Sequence, residues 1–240
     1  MKVAWPSPGT WPVTLRSGAL VLRPLDRHDE GPWTELRTTS YAWLTPWDAT
    51  PPPEAPPRAY TFADMLRNHR EAAREARMLP WGLAWDDAWA SPSSAVEPVE
   101  AKPVRPAPHS RLIGSLTVNG ITWGSSRSAY IGYWIDKRWA GRGLVPLGVA
   151  LAADYCFQTL RLHRLEIDIV PENGPSHRVV EKLGFKPDGQ RRSMLHIHGA
   201  WRDHDAFVMT ADEAPPSLVD RVLAGRPEAE HRHAAEGRTP

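Results

Sequence analysis

The chain of 240 residues is 41% hydrophobic and 24% charged, the balance of a globular protein long enough to bury one sizeable core. Its formal net charge is +1, from 29 basic against 28 acidic residues, so no overall field argues for direct DNA binding or a membrane surface. No apolar run reaches the roughly 18 residues a membrane helix needs. Pro6 and Pro8 interrupt the opening MKVAWPSPGT, and the one cysteine, Cys156, has no partner for an internal disulfide; together these lead to the expectation of a cytoplasmic protein.

Proline marks the breaks, because it lacks an N–H and fixes φ. Residues 19–25 predict a strand, and Asp26 or Asp29 caps a helix to about Thr39. Residues 46–57 are a Pro-rich loop. Thr61 and Asp64 have capping-box spacing before a second helical pattern through Phe62, Met65, Leu66, His69 and Ala73. A strand at 80–85 precedes residues 86–110, whose five prolines and lack of periodicity predict a disordered insertion. Strands at 111–123 and 128–136 follow, then a helix over 144–160, a strand at 164–170, a short helix at Ser176–Leu183 and a hairpin of 193–198 with 203–210. Residues 214–240 read as a flexible tail, with one helical turn at Leu218–Leu223. The order predicts a single α/β domain over 1–213, a mixed sheet whose parallel pair flanks the 144–160 helix.

The segment Arg138-Trp139-Ala140-Gly141-Arg142-Gly143 joins a strand to a helix. Two glycines one residue apart allow a tight turn and close approach of a ligand. N–H groups at a helix N-terminus, with the helix dipole behind them, bind phosphate, and Arg138 and Arg142 add charge for a pyrophosphate. The spacing is neither that of a P-loop nor a dinucleotide fingerprint.

Arg-x-x-Gly-x-Gly resembles the acyl-CoA signature of the GNAT acetyltransferases. Pro171-Glu172-Asn173-Gly174-Pro175-Ser176 with Lys182-Leu183-Gly184-Phe185 resembles a second segment of that family, and His198-Gly199-Ala200-Trp201-Arg202-Asp203-His204 the hairpin of its RimJ branch. Leu22-Arg23-Pro24-Leu25 and Trp43-Leu44-Thr45-Pro46-Trp47 are similar to that branch's front. The resemblance spans about residues 18–212 and implies the GNAT fold, in which the parallel strand pair splays. It implies acetyl-CoA as co-substrate, held by Trp134, Ile135, Asp136, Arg138, Ala140, Gly141, Arg142, Gly143, Leu144 and Asn173. Backbone N–H groups of Trp134, Ile135 and Asp136 are the expected oxyanion donors. The acceptor implied is a protein N-terminal α-amine, such as that of a ribosomal protein. Small amines such as an antibiotic or polyamine, or an acyl-CoA sensor without catalysis, are the alternatives.

Many relatives place a tyrosine acid on the helix that here begins at Ser176. This chain has none there, so Ser176 is the candidate acid, with helix capping as its other reading. Asp168 is the candidate base, with a solvated strand residue as the alternative. Tyr41, Trp43 and Trp47 are candidate walls of an acceptor channel, and Asp203 a candidate partner for the α-ammonium. His196, His198 and His204 lack a convincing metal set, so no metal is expected. A monomer and a homodimer are both compatible with the sequence.

Overall fold

The computed structural model describes residues 11–55, 61–89 and 110–225. Eight strands make one sheet: β1 (Leu15–Ser17), β2 (Leu20–Pro24), β3 (Leu79–Trp85), β4 (Arg111–Thr122), β5 (Ser128–Ile135), β6 (Arg164–Ile169), β7 (Lys186–Ile197) and β8 (Ala200–Thr210). Their spatial order is β1-β2-β3-β4-β5-β6-β8-β7. All neighbours are antiparallel except β5 and β6, which run parallel. The helices are α1 (Glu30–Thr39), α2 (Tyr41–Leu44), α3 (Phe62–Arg74), α4 (Leu144–Asp154), α5 (Gly174–Leu183) and α6 (Leu218–Ala224).

The chain folds this way for local reasons that can be named. Asp26 and Asp29 form a capping box that starts a 3-10 turn leading into α1, and Thr61 and Asp64 form the box that starts α3. At the β7–β8 hairpin, His198 and Gly199 take φ of 49° and 88°, the pair of positive values a two-residue hairpin turn requires. The hairpin strands are longer than predicted, and Trp201 lies in β8 rather than in the turn. Residues 90–109 of the expected insertion and 226–240 of the expected tail lie outside the described residues.

The sheet separates two apolar layers. On one face, α4 packs across β1, β2, β4 and β5 and also touches α5 and α6. All its residues from Pro146 to Asp154 are buried, so α4 is enclosed by sheet and helices together. Cys156, in the π-turn that prolongs it, is fully buried there. On the other face, Leu36 of α1 and Leu66 of α3 join Leu25 and Leu112 in a smaller cluster edged by Trp33, Phe62, Met65 and Trp134.

Two buried carboxylates hold the helices in register. Asp154, near the end of α4, accepts the N–H groups of Leu218 and Val219 at 2.9 and 3.2 Å and the Ser217 hydroxyl at 3.3 Å. Residues 217–224, expected in the loose tail, are therefore a docked helix with Leu218 and Val219 in the core. A capping acid more than sixty positions away in the chain gave no signal in the tail's own composition. Asp136, at the end of β5, accepts from the Arg138 backbone at 2.8 Å and from its guanidinium at 2.9 Å, and from Thr39 at 3.4 Å. Burial opposes its charge, but the hydrogen bonds and charge of Arg138 prevail and hold its carboxyl below the usual range. The Ser40 hydroxyl accepts the Lys137 N–H at 3.1 Å beside it. This knot ties the end of α1 to the loop that leads into α4.

The sheet's parallel contact is short. β5 and β6 share the register pairs Ser128–Arg164, Ala129–Leu165 and Tyr130–Glu166, beyond which no pair joins them, and residues 131–135 part from 167–169.

Replacing Asp154 by Ala leaves two buried N–H groups unsatisfied, at about 1–3 kcal/mol. Calorimetry is expected to show a Tm lower by roughly 5 °C, with Asp154→Asn, which keeps one acceptor oxygen, falling less. For Asp136 the unfolded carboxyl titrates near about 3.9 and the folded one lower, so the unfolded chain binds the extra proton. The stability this supplies is present above about pH 3.9 and is lost as pH falls through the folded value. Urea titrations at stepped acid pH are expected to show a steeper loss for the natural chain than for Asp136→Asn.

Candidate functional site

Where β5 and β6 part, a cavity of about 930 Å³ opens. The turn from Trp139 to Pro146 forms one end. The free edge of β5 and the first turn of α5 form its middle. Trp33, Trp43, Trp47, Met65, His69 and Met78, from α1, α2, α3 and the segments after α2 and α3, line the far end, the side away from α5.

At the turn, the N–H groups of Trp139 and Ala140 donate back to the carbonyls of Asp136 and Lys137, at 2.9 and 3.3 Å. Gly141 and Gly143 follow with φ of 79° and 69°, left-handed backbone that costs a residue with a Cβ about 1–2 kcal/mol. Gly143 is the N-cap of α4, and the first-turn N–H groups of a helix have no acceptor within it. Pro146, third in the helix, lacks a donor where none is needed. An anion is thereby favoured at this end.

The cations in the cavity wall are not the expected arginines. Arg138 is committed to Asp136, and Arg142 lies over the Trp139 ring with its guanidinium carbon 5.0 Å from the centroid; neither lines the cavity. Lys137, Arg178 and Lys182 do. Arg178 and Lys182 are four residues apart on α5 and so share a helical face, a spacing legible in the sequence.

Backbone direction alternates along β5. The Arg127 carbonyl turns toward β6, accepting His163 and Arg164 N–H groups at 2.6 and 3.2 Å, while the Asp136 N–H turns the other way, to Ile113 of β4 at 2.9 Å. Odd-numbered residues therefore face the gap. Of the three expected oxyanion donors, Ile135 is placed to serve and Asp136 is not. The Trp134 carbonyl points at Gly114 of β4, so its N–H turns to that strand as well. The N–H of Tyr133 takes the vacant place. The Ile135 carbonyl accepts the Trp43 indole N–H at 3.2 Å, which fixes one wall of the cavity.

Across the gap, Asn173 is the N-cap of α5, its side-chain oxygen accepting the Ser176 N–H at 3.3 Å. The helix starts two residues earlier than predicted, because Asn173 and not Ser176 does the capping. The Ser176 side chain is left to the cavity wall, beside the Tyr133 hydroxyl. Tyr133 was missed because the strand was read for its backbone alone. At the far end, burial lowers the pKa of His69, so its imidazole is neutral near pH 7; helical spacing had marked it only as part of an apolar face.

Ten expected residues thus line the cavity: Trp43, Trp47, Trp134, Ile135, Ala140, Gly141, Gly143, Leu144, Asn173 and Ser176. Six do not. Besides Asp136, Arg138 and Arg142, the candidate base Asp168 is elsewhere, accepting Arg191 at 3.2 Å within an ion network that includes Glu166. Burial raises its pKa against the pull of Arg191. Asp203 accepts the Ser193 N–H at 2.7 Å and braces the irregular stretch of the hairpin. Tyr41, 67% exposed, borders a neighbouring groove that shares Trp33 and Met65 with the cavity. His196 is bound to Thr50 at 2.9 Å, where it closes the 45–50 loop onto the hairpin.

Comparison with known proteins identifies the family. The chain is 40% identical over 99 residues to the probable N-acetyltransferase YjcK of Bacillus subtilis, covering 41% of this chain and 55% of that one. It is 31% identical over 105 residues to the ribosomal protein uS5-alanine N-acetyltransferase of Escherichia coli, covering 44% and 54%. The chain thus spans about half the length of these relatives. The structure of Mycobacterium smegmatis RimJ in complex with CoA-disulfide superposes with a TM-score of 0.71 at 30% identity, over 90% of this chain and 95% of that one. The pattern of the acetyltransferase (GNAT) domain matches residues 19–186, and the chain belongs to that family.

Proposed function

We propose that this chain transfers the acetyl group of acetyl-CoA to the N-terminal α-amine of a protein, such as a ribosomal protein. The observation that carries the acceptor assignment is the chemistry of the cavity's far end. It is aromatic and thioether-lined, its imidazole is neutral, and the one carboxylate among the described residues that line the cavity, Asp48, is paired with Arg37 at 2.5 Å. A polyamine or aminoglycoside brings several positive charges and would find no free carboxylate to meet them. A single α-amine, with an ordinary pKa of about 7.7–8.0, is partly neutral at pH 7 and needs no such counter-charge. The named activity of the Escherichia coli relative, a ribosomal-protein alanine N-acetyltransferase, and the CoA in the RimJ structure support the same reading.

The residues fit acetyl-CoA at three places. The glycine turn and helix start suit its pyrophosphate, with Lys137, Arg178 and Lys182 adding charge. The parted strands leave a slot for an extended arm. The Ser176 side chain lines the slot beside the buried Tyr133 hydroxyl. The coenzyme supplies an activated acyl group. The chain supplies N–H groups at Tyr133 and Ile135 that stabilise charge on the acyl oxygen, and aromatic walls that hold the amine close and keep water out. No carboxylate base is required if the amine arrives neutral.

Thiol release from acetyl-CoA over peptides beginning Ser, Ala, Thr or Met, beside spermidine and an aminoglycoside, tests this. Turnover on peptides and not on the polycations is expected; turnover on the polycations alone contradicts it, as does CoA binding with no turnover on any amine. Replacing both Arg178 and Lys182 by Ala is expected to raise KM for acetyl-CoA at least tenfold, about 1.4 kcal/mol, with little change in KM for peptide. Gly141→Glu, which adds strain and negative charge at the turn, is expected to abolish binding.

A further inference from the structure

Beside the cavity runs a groove of about 500 Å³ between α1 and the start of α3. Thr34 and Thr38, one turn apart on α1, line one side and Thr61 and Phe62 the other. Trp33 and Met65 line both the groove and the cavity, so the two adjoin there. A polypeptide whose first residue occupies the cavity needs such a way out, and a small amine does not.

α3 runs from the groove toward the cavity. His69 lies four residues beyond Met65, on the same helical face and about 6 Å further along the axis, and its side chain belongs to the cavity wall. Its Nδ1 is sealed and makes no hydrogen bond with any described residue, so the ring meets the cavity along the edge that carries Nε2. Burial keeps the imidazole neutral near pH 7. No bond at Nδ1 holds a proton there, which leaves Nε2 free to carry it and to donate. Two neighbouring polar groups are already committed, Asp48 to Arg37 and the Trp43 indole N–H to the Ile135 carbonyl. The Trp43 bond, with the edge-on packing of Trp33 against Trp134 at 5.0 Å, seats this end of the cavity against β5, where the Tyr133 and Ile135 N–H groups await the acyl oxygen.

We propose, resting on the peptide-acceptor reading above, that His69 is a specificity-determining residue whose Nε2–H donates a hydrogen bond to the first peptide carbonyl of the acceptor, the following residues leaving through the groove between α1 and α3. An α-amine beside a carbonyl satisfies this donor. A polyamine has no carbonyl there and leaves it unpaired, a mismatch that polar sites reject strongly. His69 positions the amine and neither gains nor loses a proton.

The test removes the carbonyl and the donor separately and together. An alanyl peptide is compared with its isostere in which an (E)-alkene replaces the first peptide bond, in the natural protein, His69→Leu and His69→Gln. The altered basicity of the amine and the lost amide N–H act on all three proteins and cancel when the kcat/KM ratios of the two substrates are compared. The natural protein is expected to lose at least tenfold more on the replacement than His69→Leu does, with KM for acetyl-CoA little changed. His69→Gln, which keeps a donor, is expected to fall between them and serves if the Leu variant does not fold. Imidazole nitrogen NMR of the natural protein with CoA and the alanyl peptide is expected to show His69 with its proton on Nε2. Equal substrate ratios in natural and variant proteins, or a His69 proton on Nδ1 or a charged ring in that complex, overturn the proposal. Failure of the natural protein to acetylate the alanyl peptide at all overturns the acceptor reading beneath it, a result distinct from turnover with equal ratios.

Discussion

Three register pairs between β5 and β6 are all that joins two halves of an otherwise antiparallel sheet, and the site exists because there are no more. A parallel pair that continued would spend the backbone groups of residues 131–135 on β6 and leave nothing to face a ligand. Parting the strands leaves polar backbone exposed in the middle of an apolar domain, which the fold can sustain only if something else holds each half. On the first half, the knot at Asp136 anchors the end of β5 to α1 and to the turn before α4. On the second, β6 is paired along its whole length with β8. Both strands that border the gap are therefore anchored on their outer sides.

The same division assigns the chemistry. Cations, helix-end donors, hydroxyls and neutral aromatic side chains all line the one cavity. The carboxylates near the gap are paired, Asp136 with Arg138, Asp48 with Arg37, and Asp168 and Glu166 with Arg191, and of these only Asp48 lines the cavity. The charged groups most conspicuous in the sequence are committed to ion pairs, and backbone N–H groups and the Ser176 side chain remain at the cavity.

How much of this the sequence disclosed follows the range of the interactions involved. Capping boxes at Asp26 and Thr61, the glycine turn and the strand alternation are local patterns, and they located most elements to within a few residues. The family resemblance placed Gly141, Gly143, Asn173 and Ser176 at the site. What stayed hidden depends on contacts across long stretches of chain. Asp154 caps a helix more than sixty residues away, so α6 looked like tail. Arg138 looked like a phosphate ligand because nothing in Arg-x-x-Gly-x-Gly shows that Asp136, two residues before it, turns back to claim its guanidinium. Tyr133 and His69 were legible only as members of a strand and a helix, since which face of each opens on the cavity is decided by how β6 and α3 pack.

The central claim is that the parted strands and the turn beside them hold the coenzyme, and amide hydrogen exchange with and without CoA tests it most directly. Slowed exchange is predicted at the N–H groups of Tyr133 and Ile135 and through residues 141–147, while the far strand pairs of the β7–β8 hairpin exchange as before. Slowed exchange confined to that hairpin, or none in residues 131–147 at saturating CoA, would contradict the account.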